Sequence, residues 1–339
     1  STEVEVGMEA RFLNNRVGFD VSLYKTNSKD QILLVPISGA SGYTSKWFNA
    51  GELENKGIEV QLNLVPVKNE NFRWDMNWNW AINKNKVLSL NEGMTNLQLG
   101  RAVNDVTFNA PAGEAYGQIW GTDYVYSPEG ERIVDPNTGK YMITTSKTNV
   151  LGNIMPQYTW SVRNSITYKA FTFTFLIDGQ QGGSVFSGDM LYGTDTGIYP
   201  ETLAIREPGA ILPGVVMQNG QYVQNNVPIK TMSGSLLRTG NYAAKEFVYD
   251  ASFIKLREAA IYFDVPKSLY ANTFIKGMKF GVFGRNLWII HKNLPYADPE
   301  AGYTGGSATG VQGANLSRGY SIGAMPTTRT IGANFTVNF

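Results

Sequence analysis

His291 is the only histidine in the chain, and there is no cysteine. It follows Trp288-Ile289-Ile290, where a strand runs out into a loop. A nucleophilic or metal site needs partners within reach, and no second imidazole or thiolate exists to supply them. Carboxylates offer more chemistry. Asp298 and Glu300 flank Pro299, while Asp123, Glu129, Glu131 and Asp135 crowd another segment. Two carboxylates at a fixed separation can cleave a glycosidic bond, but the neighbouring Pro and Gly residues mark turns. Asp135-Pro136-Asn137-Thr138-Gly139 reads as such a turn. It lacks the Asp-x-Asp-x-Asp-Gly spacing and the closing Glu of a calcium loop. Gly302, Gly305, Gly306, Gly310 and Gly313 make a glycine-rich surface loop without the GK[ST] and helix of a phosphate cradle. The residues thus point to no catalytic, cofactor-binding or metal site, and the chain is not expected to be an enzyme. Trp47, Tyr116, Trp120, Tyr124 and Tyr126 are the candidate substrate-binding residues. All five lie between strands, where exposed aromatics stack on sugar rings or pack on peptide side chains. They would equally pack on one another or against a lid, because long loops need small cores of their own.

The elements that must position these loops announce themselves by period. Phe72, Trp74, Met76, Trp78, Trp80 and Ile82 alternate with Arg73, Asp75, Asn77, Asn79, Ala81 and Asn83. Successive side chains of a strand point to opposite faces, so one face here is apolar and the other polar. The run is too long for an ordinary soluble strand of about 5–6 residues and suits a transmembrane strand of about 9–11. Similar alternation predicts nine strands, over 2–13, 16–27, 51–66, 71–84, 154–168, 171–182, 247–264, 277–290 and 328–339. Short connections, with Asn14-Asn15 read as a two-residue turn, alternate with long ones near 28–50, 85–153, 183–246 and 291–327. Short turns on one rim and long loops on the other are the habit of an outer-membrane barrel. The expected fold is therefore all-β, an antiparallel transmembrane β-barrel segment. The even-numbered residues Trp74, Met76, Trp78 and Trp80 should face lipid, and Arg73, Asp75, Asn77 and Asn79 the lumen. Trp74, Trp78, Trp80, Trp160 and Trp288 are the candidate membrane-interface aromatics. A nine-stranded sheet leaves two edges that lipid cannot satisfy, so both edge strands should pair outside this chain.

Composition narrows the partners. The 339 residues carry a net charge of +1, which gives no electrostatic case for nucleic acid. No run of about 18 apolar residues exists for a transmembrane helix. The chain opens directly on a strand without a signal peptide, so either one was removed or the chain starts partway into a longer protein.

Several blocks carry a resemblance. Asn49-Ala50-Gly51-Glu52-Leu53-Glu54-Asn55-Lys56-Gly57-Ile58-Glu59 resembles a segment of SusC/RagA-type TonB-dependent transporters. Phe72-Arg73-Trp74, Asn83-Lys84-Asn85-Lys86-Val87, Pro156-Gln157-Tyr158, Phe253-Ile254-Lys255-Leu256-Arg257-Glu258, Gly284-Arg285-Asn286-Leu287-Trp288 and Asp298-Pro299-Glu300 follow in the family's order. The resemblance implies that residues 1–339 are the C-terminal portion of a 22-stranded barrel domain, without its plug and N-terminal extension. It implies the outer membrane of Bacteroidetes, a SusD-like lipoprotein as lid, energy from the TonB-ExbB-ExbD complex, and contacts with the remaining barrel, plug and outer-membrane lipid. Import of an oligosaccharide or a peptide is the implied function. The alternatives are a passive porin and a soluble β-rich carbohydrate-active enzyme. Phe339, an aromatic C-terminal residue, resembles the assembly signal of outer-membrane barrels.

Overall fold

The computed structural model describes residues 1–30, 32–36, 45–49, 51–91, 93–300, 302 and 318–339. Most of the glycine-rich loop lies outside the described residues. Nine long strands form one antiparallel sheet in chain order. They are β1 (Thr2–Phe12), β2 (Val17–Ser28), β3 (Glu52–Lys68), β4 (Phe72–Ser89), β5 (Tyr158–Tyr168), β6 (Phe171–Gln181), β7 (Phe253–Asp264), β8 (Gly277–Lys292) and β9 (Thr330–Asn338). Among the described residues β1 and β9 each have one neighbour, so the sheet does not close on itself. Because each strand reverses the last, alternate connections gather on opposite rims. The connections between β1 and β2, β3 and β4, β5 and β6, and β7 and β8 share the short-turn rim. The four long ones share the other.

Local chemistry sets the tight turns. The first connection is not the two-residue turn expected at Asn14-Asn15: it spans Leu13 to Arg16, with Leu13, Asn14 and Asn15 all at positive φ. Asn tolerates that region and so carries the reversal. Arg16 closes the turn, its guanidinium donating to the carbonyls of Val65 at 3.1 Å and Pro66 at 2.6 Å. At the next turn the Asn69 side-chain carbonyl accepts from the backbone N–H of Asn71 and Phe72 at 3.0 and 2.8 Å. Two predicted strands were too long at their loop ends. Residues 154–157 precede β5, and Val248–Asp250 is a separate strand that leaves the sheet to pair with Ser184–Ser187. β4 instead runs on to Ser89.

Register places every alternating apolar set on the same face. One row runs Phe19, Leu62, Trp78, Val162, Ile177, Leu256 and Trp288 across β2 to β8. Near the short-turn rim a second row is wholly aromatic: Phe72, Tyr168, Phe171, Phe263, Phe280 and Phe335. On β4 this face is apolar from Phe72 to Ile82, ten steps or about 33 Å at roughly 3.3 Å per residue. A tilt of about 45° reduces that to ~23 Å, close to the height of a barrel's lipid-facing band. Asn164 is the exception on this face. It is 5% exposed, and its side-chain carbonyl accepts from the Trp74 indole N–H at 3.0 Å. Gly179 leaves room for a second indole, since a Cβ there would lie 2.7 Å from the Trp160 ring.

Apart from Val87 at the loop end of β4, the hydrophobic core is not in the sheet. Two clusters of buried side chains lie in the long connections, which together form a cap on the long-loop rim. One is centred on Phe108, Ile119, Phe186 and Phe247, and the other on Tyr124, Val134, Tyr141 and Leu212. An antiparallel sheet of Asn149–Asn153, Gln118–Gly121, Thr107–Pro111 and Asn96–Arg101 supports the first. Helix α1 (Gly188–Thr196) follows its N-cap Ser187, whose hydroxyl accepts from the Met190 N–H.

Candidate functional site

The polar face of the sheet is as continuous as the apolar one. Asp20, Gln61, Asn79, Ser161, Asp178 and Lys255 occupy one register row across β2 to β7. Side chains on this face bond to each other. The Asn77 amide donates to Asn63 at 2.5 Å, and the Asn79 amide donates to Ser161 at 3.2 Å. A cavity of about 490 Å³ lies over the row, lined by Asp20, Glu59, Asp178, Gln180, Glu300 and Arg318 among others. Glu300 and Arg318 belong to the last long connection, so the cap folds down over the polar face.

A charge network holds it there. The Lys255 ammonium donates to Asp298 and to Glu300, both at 2.5 Å. Arg257 donates to Asp178 and Glu300, both at 2.6 Å. The Lys255 and Asp298 side chains are 4% and 2% exposed. Thr327 donates to the other Asp298 oxygen at 3.0 Å, and the Glu300 N–H donates to the Lys255-bound one at 3.0 Å. A bulge makes the cationic side: Leu256 pairs with Ile177 and Glu258 with Leu176, leaving Arg257 as the extra residue. Bulges re-aim side chains in this way. Here one puts Lys255, Arg257 and Glu258 all on the polar face. Burial works to raise both carboxyls. The Lys255 hydrogen bond holds Asp298 below the usual carboxylate range, and Arg257 and Lys255 do the same for Glu300. Both carboxylates are ion-paired, so the Asp298–Glu300 pair ties the last long connection to β7.

The five candidate binding aromatics fall in different places. Tyr124 is 2% exposed in the second core. Its hydroxyl donates to Glu246 at 2.8 Å, and the Arg132 guanidinium sits 4.2 Å above its ring while pairing with Glu246. Burial and the Glu246 charge push the Tyr124 phenol well above its ordinary pKa, so it is a neutral structural donor. Tyr126 meets Tyr124 edge-on at 6.4 Å but is itself exposed. Burial and its hydrogen bond to Asp123 raise the Tyr126 phenol to about 12. Tyr116 packs half-buried against the first core. Trp120 is half-buried, its indole N–H donating to Gln118 at 2.8 Å. Trp47 is exposed on a separate hairpin of Ile32–Pro36 and Ser45–Asn49. Trp120 and the tyrosines therefore share the cap with Trp47 apart.

Sequence reasoning passed over a second aromatic pair. Tyr199 and Tyr296 stack at 4.6 Å with 7° between their planes. Tyr296 has φ +53 and an exposed ring, and its hydroxyl donates to Glu201 at 2.9 Å. The 96 residues between them in the chain hide the pairing from any local pattern. Among the interface candidates, Trp78 and Trp288 sit in one mid-face row. Trp80 and Trp160 are paired nearer the long-loop rim, and Trp74 lies nearer the short-turn rim. The aromatic row at that rim is Phe and Tyr, which the register alone brings together.

The chain matches the family model described as TonB dependent receptor-like, beta-barrel, over residues 1–209. It is 26% identical to TonB-dependent receptor P3 of Formosa agariphila, covering all of this chain and 34% of that protein. It is 22% identical to TonB-dependent receptor SusC of Bacteroides thetaiotaomicron, over 88% of this chain and 29% of that protein. Among solved structures it is similar to one described as the RagAB peptide transporter, with a TM-score of 0.71 at 17% identity. That match covers 99% of this chain and 35% of the other. The chain spans about a third of the length of the relatives it matches.

Proposed function

Because the chain belongs to the TonB dependent receptor-like β-barrel family, we propose that it supplies the C-terminal strands of an outer-membrane barrel that actively imports a nutrient. The observation that carries the reading is the two-faced register across nine strands: one face apolar through its middle apart from Asn164, the other mainly polar. Strands of this length with an apolar and a polar face suit a barrel wall between lipid and an aqueous lumen. The two open edges pair with strands from the rest of the barrel, since unpaired backbone in lipid costs several kcal/mol per group. A plug fills the lumen over the polar row, TonB-ExbB-ExbD supplies energy, and a SusD-like lipoprotein closes the cap rim. The cargo is an oligosaccharide or a peptide. The exposed Tyr126 and Trp47, with the half-buried Tyr116 and Trp120, offer it apolar surface, while Tyr124 supports them from beneath. Cells carrying the intact protein should take up a fluorescent oligosaccharide or peptide, and lose that uptake when TonB is deleted. Uptake that persists without TonB would favour a passive porin. No uptake of either class would remove the import reading.

Phe339 belongs to the same reading. Its ring stacks on Phe274 at 5.5 Å with 18° between planes, and both are exposed. Deleting Phe339 should lower the yield of folded, heat-modifiable protein in the membrane severalfold. Loss of a girdle contact alone would change it far less. An unchanged yield would leave Phe339 without an assembly role.

A further inference from the structure

Toward the long-loop rim the apolar face of β2 to β4 stops within one row. Leu23, Ile58 and Ile82 form its last apolar row. The next residues on that face are Lys25, Lys56 and Lys84, directly opposite one another across three strands. One row further stand Asn27, Glu54 and Lys86, and Lys29 lies just beyond β2. All five lysines are exposed.

Like charges directly opposite on neighbouring strands repel, and a sheet does not place them so without compensation. Two carboxylates supply part of it. Glu54 lies 2.7 Å from the Lys25 ammonium and 3.8 Å from that of Lys56, and Glu52 lies 3.4 Å from that of Lys29. Lys84 and Lys86 have no ion pair among the described residues. Five ammonium groups against two carboxylates leave three positive charges on one patch, in a chain whose whole net charge is +1.

The height of the patch says what completes it. Lys84 is two residues past Ile82, about 7 Å along the strand and ~5 Å along the membrane normal at a tilt of about 45°. That is the headgroup layer, immediately above the hydrocarbon. Trp80, Trp160 and Tyr158 lie just below it, with Trp80 and Tyr158 rings 6.2 Å apart. Lysine stems can lie over the apolar edge while their ammonium groups reach the polar layer. Their compact point charges suit phosphate oxygens approaching from several directions.

We infer that the row Lys25, Lys56 and Lys84, with Lys86 and Lys29, binds the phosphorylated headgroup of an outer-leaflet glycolipid. The site rests on the membrane position of the sheet and is independent of the cargo, so its test involves no uptake. The intact protein, extracted in mild detergent, is titrated by native mass spectrometry with a phosphorylated outer-membrane glycolipid and with the same lipid after phosphatase treatment. The unmodified protein should retain the phosphorylated lipid and not the dephosphorylated one. Lys84→Gln with Lys86→Gln should weaken retention about thirtyfold, and Lys84→Arg with Lys86→Arg should keep most of it. Equal retention of the two lipids by the unmodified protein overturns the site, and that comparison requires no variant to fold. Undiminished retention by the folded glutamine pair overturns it as well.

Discussion

Replacing Lys255 with Met should cost about 3–5 kcal/mol, the usual loss when a buried ion pair keeps only one partner. The Asp298 carboxylate would stay buried opposite a thioether, and Glu300 would keep only Arg257. The last long connection should then lift from the polar face. Limited proteolysis across residues 293–329 and the melting temperature of the intact protein report this. Acid gives a second readout, with opposite signs in the two proteins. Asp298 and Glu300 both titrate below their ordinary values. The stability they lend is therefore complete above the ordinary carboxylate range, near pH 4, and is lost as pH falls through their lowered values. The unmodified latch should loosen in acid. The Lys255→Met deficit should shrink there, because protonation removes the uncompensated anion. Proteolysis and melting unaffected by the substitution would mean the network does not hold the cap.

A second large effect should separate neighbouring residues of one strand. Leu62 lies in the mid-face row with Phe19 and Trp78, whereas Gln61 lies in the polar row with Asp20 and Asn79. Leu62→Arg should destabilise the membrane-inserted protein by about 2–4 kcal/mol, as charged residues do at the midplane of a barrel's lipid face. Gln61→Arg, one residue away and facing the lumen, should change stability by a small fraction of that. Urea unfolding from lipid vesicles measures both. Similar losses at 61 and 62 would break the two-faced register.

The barrel strands were legible in the sequence because a lipid face and a water face impose a strict period of two over many residues. The limits of that signal show in particular places. At the start of the run 247–264, Val248–Asp250 keeps strand-like residues yet turns away to pair with Ser184–Ser187, and no local pattern marks the break at Ala251-Ser252. Asn164 interrupts an apolar alternation, which reads as a flaw until the Trp74 indole is found bonded to it. The cap was legible only as length. Its short strands pair in ways no alternation forecasts, including the parallel contact of Ser184–Ser187 with Tyr320–Ser321. Asp298 and Glu300 stood out as a carboxylate pair, and Lys255 and Arg257 stood in a separate block. Their meeting depends on a bulge and a 43-residue excursion, which spacing does not encode. The five loop aromatics divided between core and surface for the same reason: burial in the cap is set by partners distant in the chain.

That separation between sheet and cap has a temporal side. Half of the neighbouring strands in the sheet are joined by short connections, but Phe108 meets Tyr320 and Ser321 meets Asp189 across far longer stretches of chain. Contacts of such sequence separation form slowly, because loop closure must precede any reward. Strands already fixed in the bilayer bring those segments to one rim and shorten the search. The cap should therefore assemble last, on a scaffold already inserted, and the newly made barrel passes through an interval in which its surface connections are open to proteases and chaperones.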